Sequence, residues 1–321
     1  MITTELQSRL GIEYPIVGGA MMDISTPQWV STVANAGALG LHTSATYKNY
    51  DDFRAALRET KELTDRPFGV NINLFPMMEK PDNSRFLEIM AEQGVLIAET
   101  SGFAPPEDLA AQMKDLGIFW MHKCVGVRYA RKAEKVGADA VTVVGYENGG
   151  ATGNLNVTTL VLVPSTVDAV DIPVIGGGGV VDGRTLLAVL SLGASAVIVG
   201  SRLMLSEECP IHPNVKQALL EADELQTDVI MRSVGFAHRV WMNDPCRQVA
   251  EIEARGGGID EVYPLVSGSA TRKMLATGDL GVGSLSVSQG VGLIRELKPV
   301  RQILEDMMAE AERMQSALVG S

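Results

Sequence analysis

Short, nearly continuous apolar runs recur through the first two hundred residues: PIVGGA (15–20), GALGLH (37–42), FGVNINL (68–74), VLIAETSG (95–102), IFWMHKC (118–124), AVTVVGY (140–146), PVIGGGG (173–179) and AVIVGS (196–201). Runs of this length without a polar face fit strands covered on both sides. The segments between them have helical character. Several open on a cap, as at Thr26 before Pro27, Pro105-Pro106 before EDLAAQM, and Asp182 before GRTLLAVLSLG. Many close on glycine, as at Gly37, Gly94, Gly117, Gly137 and Gly193.

Buried strands alternating with helices predict an α/β fold with a parallel sheet, and eight such units favour a closed (β/α)8 TIM barrel. An open doubly wound sheet is the alternative, but its fingerprint belongs in the first strand–helix turn, and PIVGGAMMDIS lacks the GxGxxG spacing.

The pattern changes after Ser201. HPNVKQALLEADELQTDVIMRSVGFAHRVWMN (212–243) reads as helical, and RGGGIDEVYPLVSG and TGDLGVGSLSVSQG bring glycine-rich turns. The expected organisation is a barrel over 1–204, a helical insertion over 205–290 that covers the barrel mouth, and a final helix within 291–321. That helix carries an apolar stripe, Val300, Leu304, Met307, Ala311, Met314 and Leu318, spaced to pack one face on the barrel.

Composition narrows the partners. The 321 residues are 46% hydrophobic, and 27 basic against 39 acidic residues give a net charge of −12 with no Lys/Arg block. Nucleic acid and anionic membrane are therefore not expected partners. The N-terminal stretch lacks the basic and apolar regions of a signal peptide and no apolar run approaches a bilayer span, so a cytoplasmic location is expected. Cys124, Cys209 and Cys246 have no metal-like spacing and are expected as buried reduced thiols, with no metal site.

In a barrel of this class the chemistry sits at the C-terminal ends of the strands, and the loops after the seventh and eighth strands often bind phosphate. Here those loops read Gly176-Gly177-Gly178-Gly179 and Gly200-Ser201, bare backbone that can turn N–H groups to an oxyanion. A phosphorylated cofactor or substrate is the expected ligand. Other polar residues at strand ends are Asn71, Asn73, Glu99, Thr100, Ser101, His122, Lys123, Tyr146, Glu147 and Asn148. Lys123 can pair with phosphate or with developing negative charge. Strand alternation puts His122 and Lys123 on opposite sides, so only one faces the centre. His42 could face the mouth, whereas His212 and His238 are expected to cap or to lie on the surface.

PIVGGAM, RPFGVNINL, HKCVGVRYARKAEKVGADAV, PVIGGGGVVDGRTLLAVLSLGASAVIVGSR, ECPIHPNVKQA and TDVIMRS resemble the FMN-dependent nitronate monooxygenase (2-nitropropane dioxygenase) family. The likeness is strongest to its NAD(P)H:quinone reductase branch, with flavin-dependent enoyl-acyl-carrier-protein reductases further off.

The resemblance implies FMN beside Gly18, Gly19, Ala20 and Met21. Asn71 and Lys123 would hydrogen-bond the flavin, Gly149 and Gly150 would bring backbone close to it, and Gly177, Gly178, Gly179, Gly200 and Ser201 would hold its phosphate. In the loop VGYENGGATG the family's histidine is replaced by Ala151, and Val144 stands where that branch has an aspartate.

Three activities follow from the resemblance. The first is NADH- or NADPH-dependent reduction, through FMN, of a small electron-poor acceptor such as a quinone, enone or enoyl thioester. Hydride transfer needs orientation more than a side-chain base, so this reading survives the loss of the histidine. Tyr146, Thr152, His122 or bulk water are the candidate proton donors. The second is nitronate oxidation by oxygen, and the third is ligand binding without turnover. A homo-oligomer is left open.

Overall fold

The computed structural model describes residues 2–75, 81–102 and 104–320. Its strands are β1 (Ile16–Gly18), β2 (Gly40–Thr43), β3 (Phe68–Asn73), β4 (Ile97–Ser101), β5 (Phe119–Cys124), β6 (Ala140–Val144), β7 (Gly150–Ala151), β8 (Val174–Gly177), β9 (Ala196–Val199), β10 (Thr227–Ile230) and β11 (His238–Trp241). Eight of them form one parallel sheet in the order β1-β9-β8-β6-β5-β4-β3-β2. A parallel bridge between Val17 and Leu39 joins the ends of that order and closes the barrel. All eight apolar runs read from the sequence are barrel strands, and the fold is a (β/α)8 barrel.

Alternation along the strands separates two packed layers. Val17, Leu41, Met121, Ala140, Val144, Ile175, Ala196 and Ile198 fill the interior, joined by Leu6 and Leu10 of the helix Glu5–Leu10. Ile16, Val70, Ile72, Ala98, Trp120, Val141, Val143, Val197 and Val199 face outward and pack under the helices. The caps behave as expected at Thr26, which accepts from Trp29 N, and at Asp182, which forms a capping box with Thr185.

The chain after the barrel departs from the expected pattern. Of residues 212–243 only Pro213–Leu220 forms an α-helix, with one 3-10 turn at Glu224–Gln226. Thr227–Ile230 and His238–Trp241 are instead antiparallel strands, and β7 from the β6 loop completes a three-stranded sheet in the order β10-β11-β7. Val229, Ile230, Val240 and Trp241 suit a strand as readily as a helix, and the Arg232–Gly235 turn folds the hairpin. Helices Asp244–Ala254, Ile259–Val266 and Gly268–Thr277 follow.

The last helix, Val300–Val319, buries Val300, Leu304, Met307 and Ala311 and packs Met314 against the core. Leu318, expected on the same stripe, is 82% exposed because the helix outruns the barrel. Among the described residues no helix is long and apolar enough to cross a membrane. The three cysteines are buried and unpaired, and burial pushes each thiol up to about 12.

Two histidines belong to the outer layer and carry a pH dependence. His42 lies against the helix Tyr50–Leu63, with Nε2 2.8 Å from Thr60 Oγ1 and Nδ1 2.9 Å from the Tyr47 hydroxyl. The Thr60 hydroxyl donates to Ala56 O, so His42 donates from Nε2 and is neutral. His122 is likewise fully buried, 2.8 Å from Thr100 Oγ1. Burial lowers both to about 4.

The unfolded chain thus binds protons that the fold does not. The corresponding stability is complete above about pH 6.5 and drains away as the pH falls to 4, by up to roughly 3 kcal/mol per histidine. Urea midpoints measured across that window should fall with acid, and the slope should flatten in His42→Gln.

Candidate active site

Four strand ends meet inside the barrel to build a polar tier. Asn71 pairs in register with Glu99, Ser101 with Lys123, and Lys123 with Thr142, all on inward-facing positions. Asn71 Nδ2 donates to Glu99 Oε2 at 2.6 Å, Lys123 Nζ donates to the same oxygen at 2.9 Å, and the Ser101 hydroxyl donates to Asn71 Oδ1 at 3.2 Å. The Glu99 side chain is fully buried while that of Lys123 keeps 23% exposure, so the cation is the part of the tier that reaches the opening. Glu99 Oε1 and Thr142 Oγ1 are buried without a partner.

Two loops beside this tier offer backbone donors. Gly178 and Gly179 take φ of 109° and 72°, a left-handed turn that a Cβ would strain. Next to it, at the end of the neighbouring strand β9, Gly200 precedes the short helix Ser201–Met204. The N–H groups of Gly179, Val180, Ser201 and Arg202 meet no acceptor among the described residues, as an anion-binding pair of loops requires.

The rest of the glycine run is otherwise employed. Gly176 packs outward on Val189, and Gly177 sits within β8 against Ile198. The helix opened by Asp182 is not an anion site, since Asp182 and Glu310 already accept from Thr185 N and Gly183 N.

The other expected site residues divide. Gly19 N is tied to Val199 O, and Ala20 and Met21 are half-buried at the β1 end, with Met21 N held by Ser25 Oγ. Gly149 packs directly on the backbone of Val287 and Ser288, and Ser288 N donates to Ser201 Oγ at 2.9 Å. The β6 loop, the 286–288 segment and the β9 loop are thereby locked together.

His122 does not face the centre. It is buried on the outer surface of β5 beside Trp120, too far inside the helix layer to serve as the proton donor its sequence position suggested. His42 is turned outward in the same way. Thr152 is buried, its N–H bonded to Ala237 O and its hydroxyl to Gly153 O, which leaves it engaged in the small sheet. Tyr146 is half-buried, with the Arg239 guanidinium 4.5 Å from its ring centroid.

The insertion supplies groups that the sequence did not mark. Arg239 is 1% exposed and donates to Tyr146 O, Thr227 O and Thr227 Oγ1 with no carboxylate partner, bracing the β6 loop. His238 lies opposite Ala151 in the β11–β7 register, its Nε2 2.9 Å from Ser286 Oγ. It is not a surface residue, and burial lowers its imidazole to about 4. His212, by contrast, is a helix cap that accepts from Asn214 N. The signal for the Glu99 tier was present in the in-phase alternation of neighbouring strands; none pointed to Ser286.

The chain matches the sequence model of the nitronate monooxygenase family over residues 3–310. It is 32% identical to the (3aS,4S,5R,7aS)-5-hydroxy-7a-methyl-1-oxo-octahydro-1H-indene-4-carboxyl-CoA dehydrogenase of Rhodococcus jostii, over 99% of this chain and 98% of the relative. It is 30% identical to the nitronate monooxygenase of Pseudomonas aeruginosa, covering 96% and 99% of the two chains. Among solved structures, FabK from Thermotoga maritima superposes with a TM-score of 0.92 at 34% identity, over 100% of this chain and 99% of that one.

Proposed function

We propose, from the premise that this chain belongs to the nitronate monooxygenase family and is an FMN-dependent oxidoreductase, that it transfers hydride between NAD(P)H and an acyl-CoA thioester with a conjugated C=C bond. The observation that carries the substrate class is the whole-length likeness to a carboxyl-CoA dehydrogenase. Bound FMN supplies the relay that accepts hydride from one partner and gives it to the other.

The residues at the mouth fit that group. The unpaired N–H groups of Gly179, Val180, Ser201 and Arg202 would hold its phosphate. Asn71 and Lys123 would hold the polar edge of its ring system, with Glu99 fixing the position of the lysine. A lysine ammonium fixed in this way orients an electron-rich edge and favours negative charge there. The β10-β11-β7 sheet and the segment 286–288 are tied to the same loops, and cover from them would keep water from the bound group.

Nitronate oxidation is the second reading, favoured by the 30% identity to the Pseudomonas aeruginosa enzyme over nearly the whole chain. One anaerobic experiment separates the two. Rapid bleaching of the flavin bands by NADH or NADPH, followed by their return on adding an enoyl-CoA, is the expected result. Flavin that stays oxidised with both nucleotides but bleaches with a nitronate would replace the first reading by the second.

A further inference from the structure

We propose that His238 is the proton-transfer group of this site, taking and returning the proton on the carbon next to the thioester carbonyl, with Ser286 holding its ring. The inference rests on the thioester reading above.

The chain has four histidines, and the fold disposes of three of them. His42 and His122 are sealed in the layer between strands and helices, and His212 caps a helix. His238 stands on β11 directly opposite Ala151, so both side chains rise from the same face of the small sheet. Alanine there leaves room for an imidazole that comes from the facing strand. The residue is half-buried, and its Nδ1 meets no hydrogen-bond partner among the described residues.

Its placement at the mouth follows from the chain around it. A Cβ on Gly150 would lie 3.7 Å from both His238 Nε2 and Ser286 Oγ. Two residues beyond Ser286, Ser288 is bonded to Ser201 of the anion-binding loop. The imidazole is therefore fastened to the same frame that surrounds the candidate cofactor site.

The chemistry suits a base that also returns its proton. Burial lowers the ring to about 4, so at neutral pH it is neutral with a lone pair available, and the imidazolium it forms gives the proton back readily. One nitrogen is held by the Ser286 hydroxyl and the other is open, the arrangement that fixes a ring while leaving a lone pair or proton to use.

When His238 removes the proton, the Cα–H bond breaks and its electron pair is delocalised into the thioester carbonyl as an enolate. Return of a proton from the imidazolium re-forms the bond. This exchange needs no oxidant or reductant. In the full reaction hydride adds at the β carbon and the same proton goes to the α carbon, so that the C=C bond is replaced by two C–H bonds.

The test uses the holoprotein in D2O with cyclohexanecarboxyl-CoA, following deuterium at the α carbon by mass spectrometry. Wild type is expected to exchange it, His238→Gln to lose at least about 100-fold in rate, and the double variant Ala151→His/His238→Ala to recover most of the loss by returning an imidazole to the same strand pair. Melting temperature and flavin content report whether each variant folds. A second measurement needs no variant: the ring signals of His238 in wild type should shift on adding the thioester while those of His42 and His122 stay fixed.

Wild-type exchange that persists in His238→Gln, absence of exchange in wild type, or unmoved His238 signals would each overturn the proposal. Exchange by a wild type whose flavin neither nucleotide bleaches would keep His238 and remove NAD(P)H from the reading above. Bleaching without exchange would do the reverse.

Discussion

Lys123→Met is expected to weaken FMN retention by about tenfold to a hundredfold, the worth of one charge-assisted hydrogen bond. It should also lower the stability of the flavin-free protein by about 2–4 kcal/mol. The second effect comes from Glu99. Its carboxylate is fully buried, 2.9 Å from the lysine, and after the substitution only Asn71 is left to satisfy it. Removing one member of such a pair leaves a charge in a medium that cannot solvate it, which costs more than the intact pair contributes. The partial exposure of Lys123 puts the figure at the lower end of the range for buried pairs.

Glu99→Gln/Lys123→Met is the informative companion. With the stranded charge gone it should regain most of the stability while still losing flavin on gel filtration. Equal losses of stability in the single and double variants would mean that the lysine stabilises through its packing alone.

Arg239→Ala should be the most destabilising change in the insertion, by about 3–5 kcal/mol. The guanidinium is 1% exposed, donates to three oxygens on two elements and covers the Tyr146 ring. Alanine would leave those acceptors unpaired around a cavity. Lysine should recover little, because a single ammonium cannot reach Tyr146 O and Thr227 together while lying flat on the ring.

Hydrogen exchange localises the effect. Amides of β7, β10 and β11 should lose protection in Arg239→Ala while those of the barrel strands keep theirs. An Arg239→Lys protein that melts with wild type would show the fork geometry to be dispensable. Because β7 and β11 carry Ala151 and His238, their register depends on this arginine, although it is a positioning residue and not part of the chemistry.

The barrel was legible because its information is local. Each strand is an apolar run too short for a helix, each is followed by a helical segment, and the turns are marked by glycine or a cap, so period and punctuation agree at every unit. Gly178-Gly179 and Gly200-Ser201 stand out as candidate anion-binding backbone for the same reason, since glycine after a barrel strand leaves N–H groups bare. Alternation along β5 also settled that His122 and Lys123 would part company, though not which of them would turn inward.

The insertion is less legible in the sequence. Residues 227–241 carry an apolar pattern that either period accommodates, and what selects strand is β7, a two-residue piece of the distant β6 loop that pairs with β11. Leu318 fits the helical stripe by spacing, but the barrel ends before the helix does.

The sequence by itself determined the (β/α)8 scaffold, the mouth at which the polar strand ends gather, and the two loops suited to an anion, because these depend on near neighbours in the chain. Only the tertiary structure decided that Glu99 anchors Lys123, that His42 and His122 are sealed outside the barrel, and that His238 stands opposite Ala151 with Ser286 at its ring. The Glu99 and His238 relations join residues 24 to 87 positions apart in sequence, and such contacts are set by strand register and by which face each strand turns inward, not by local spacing.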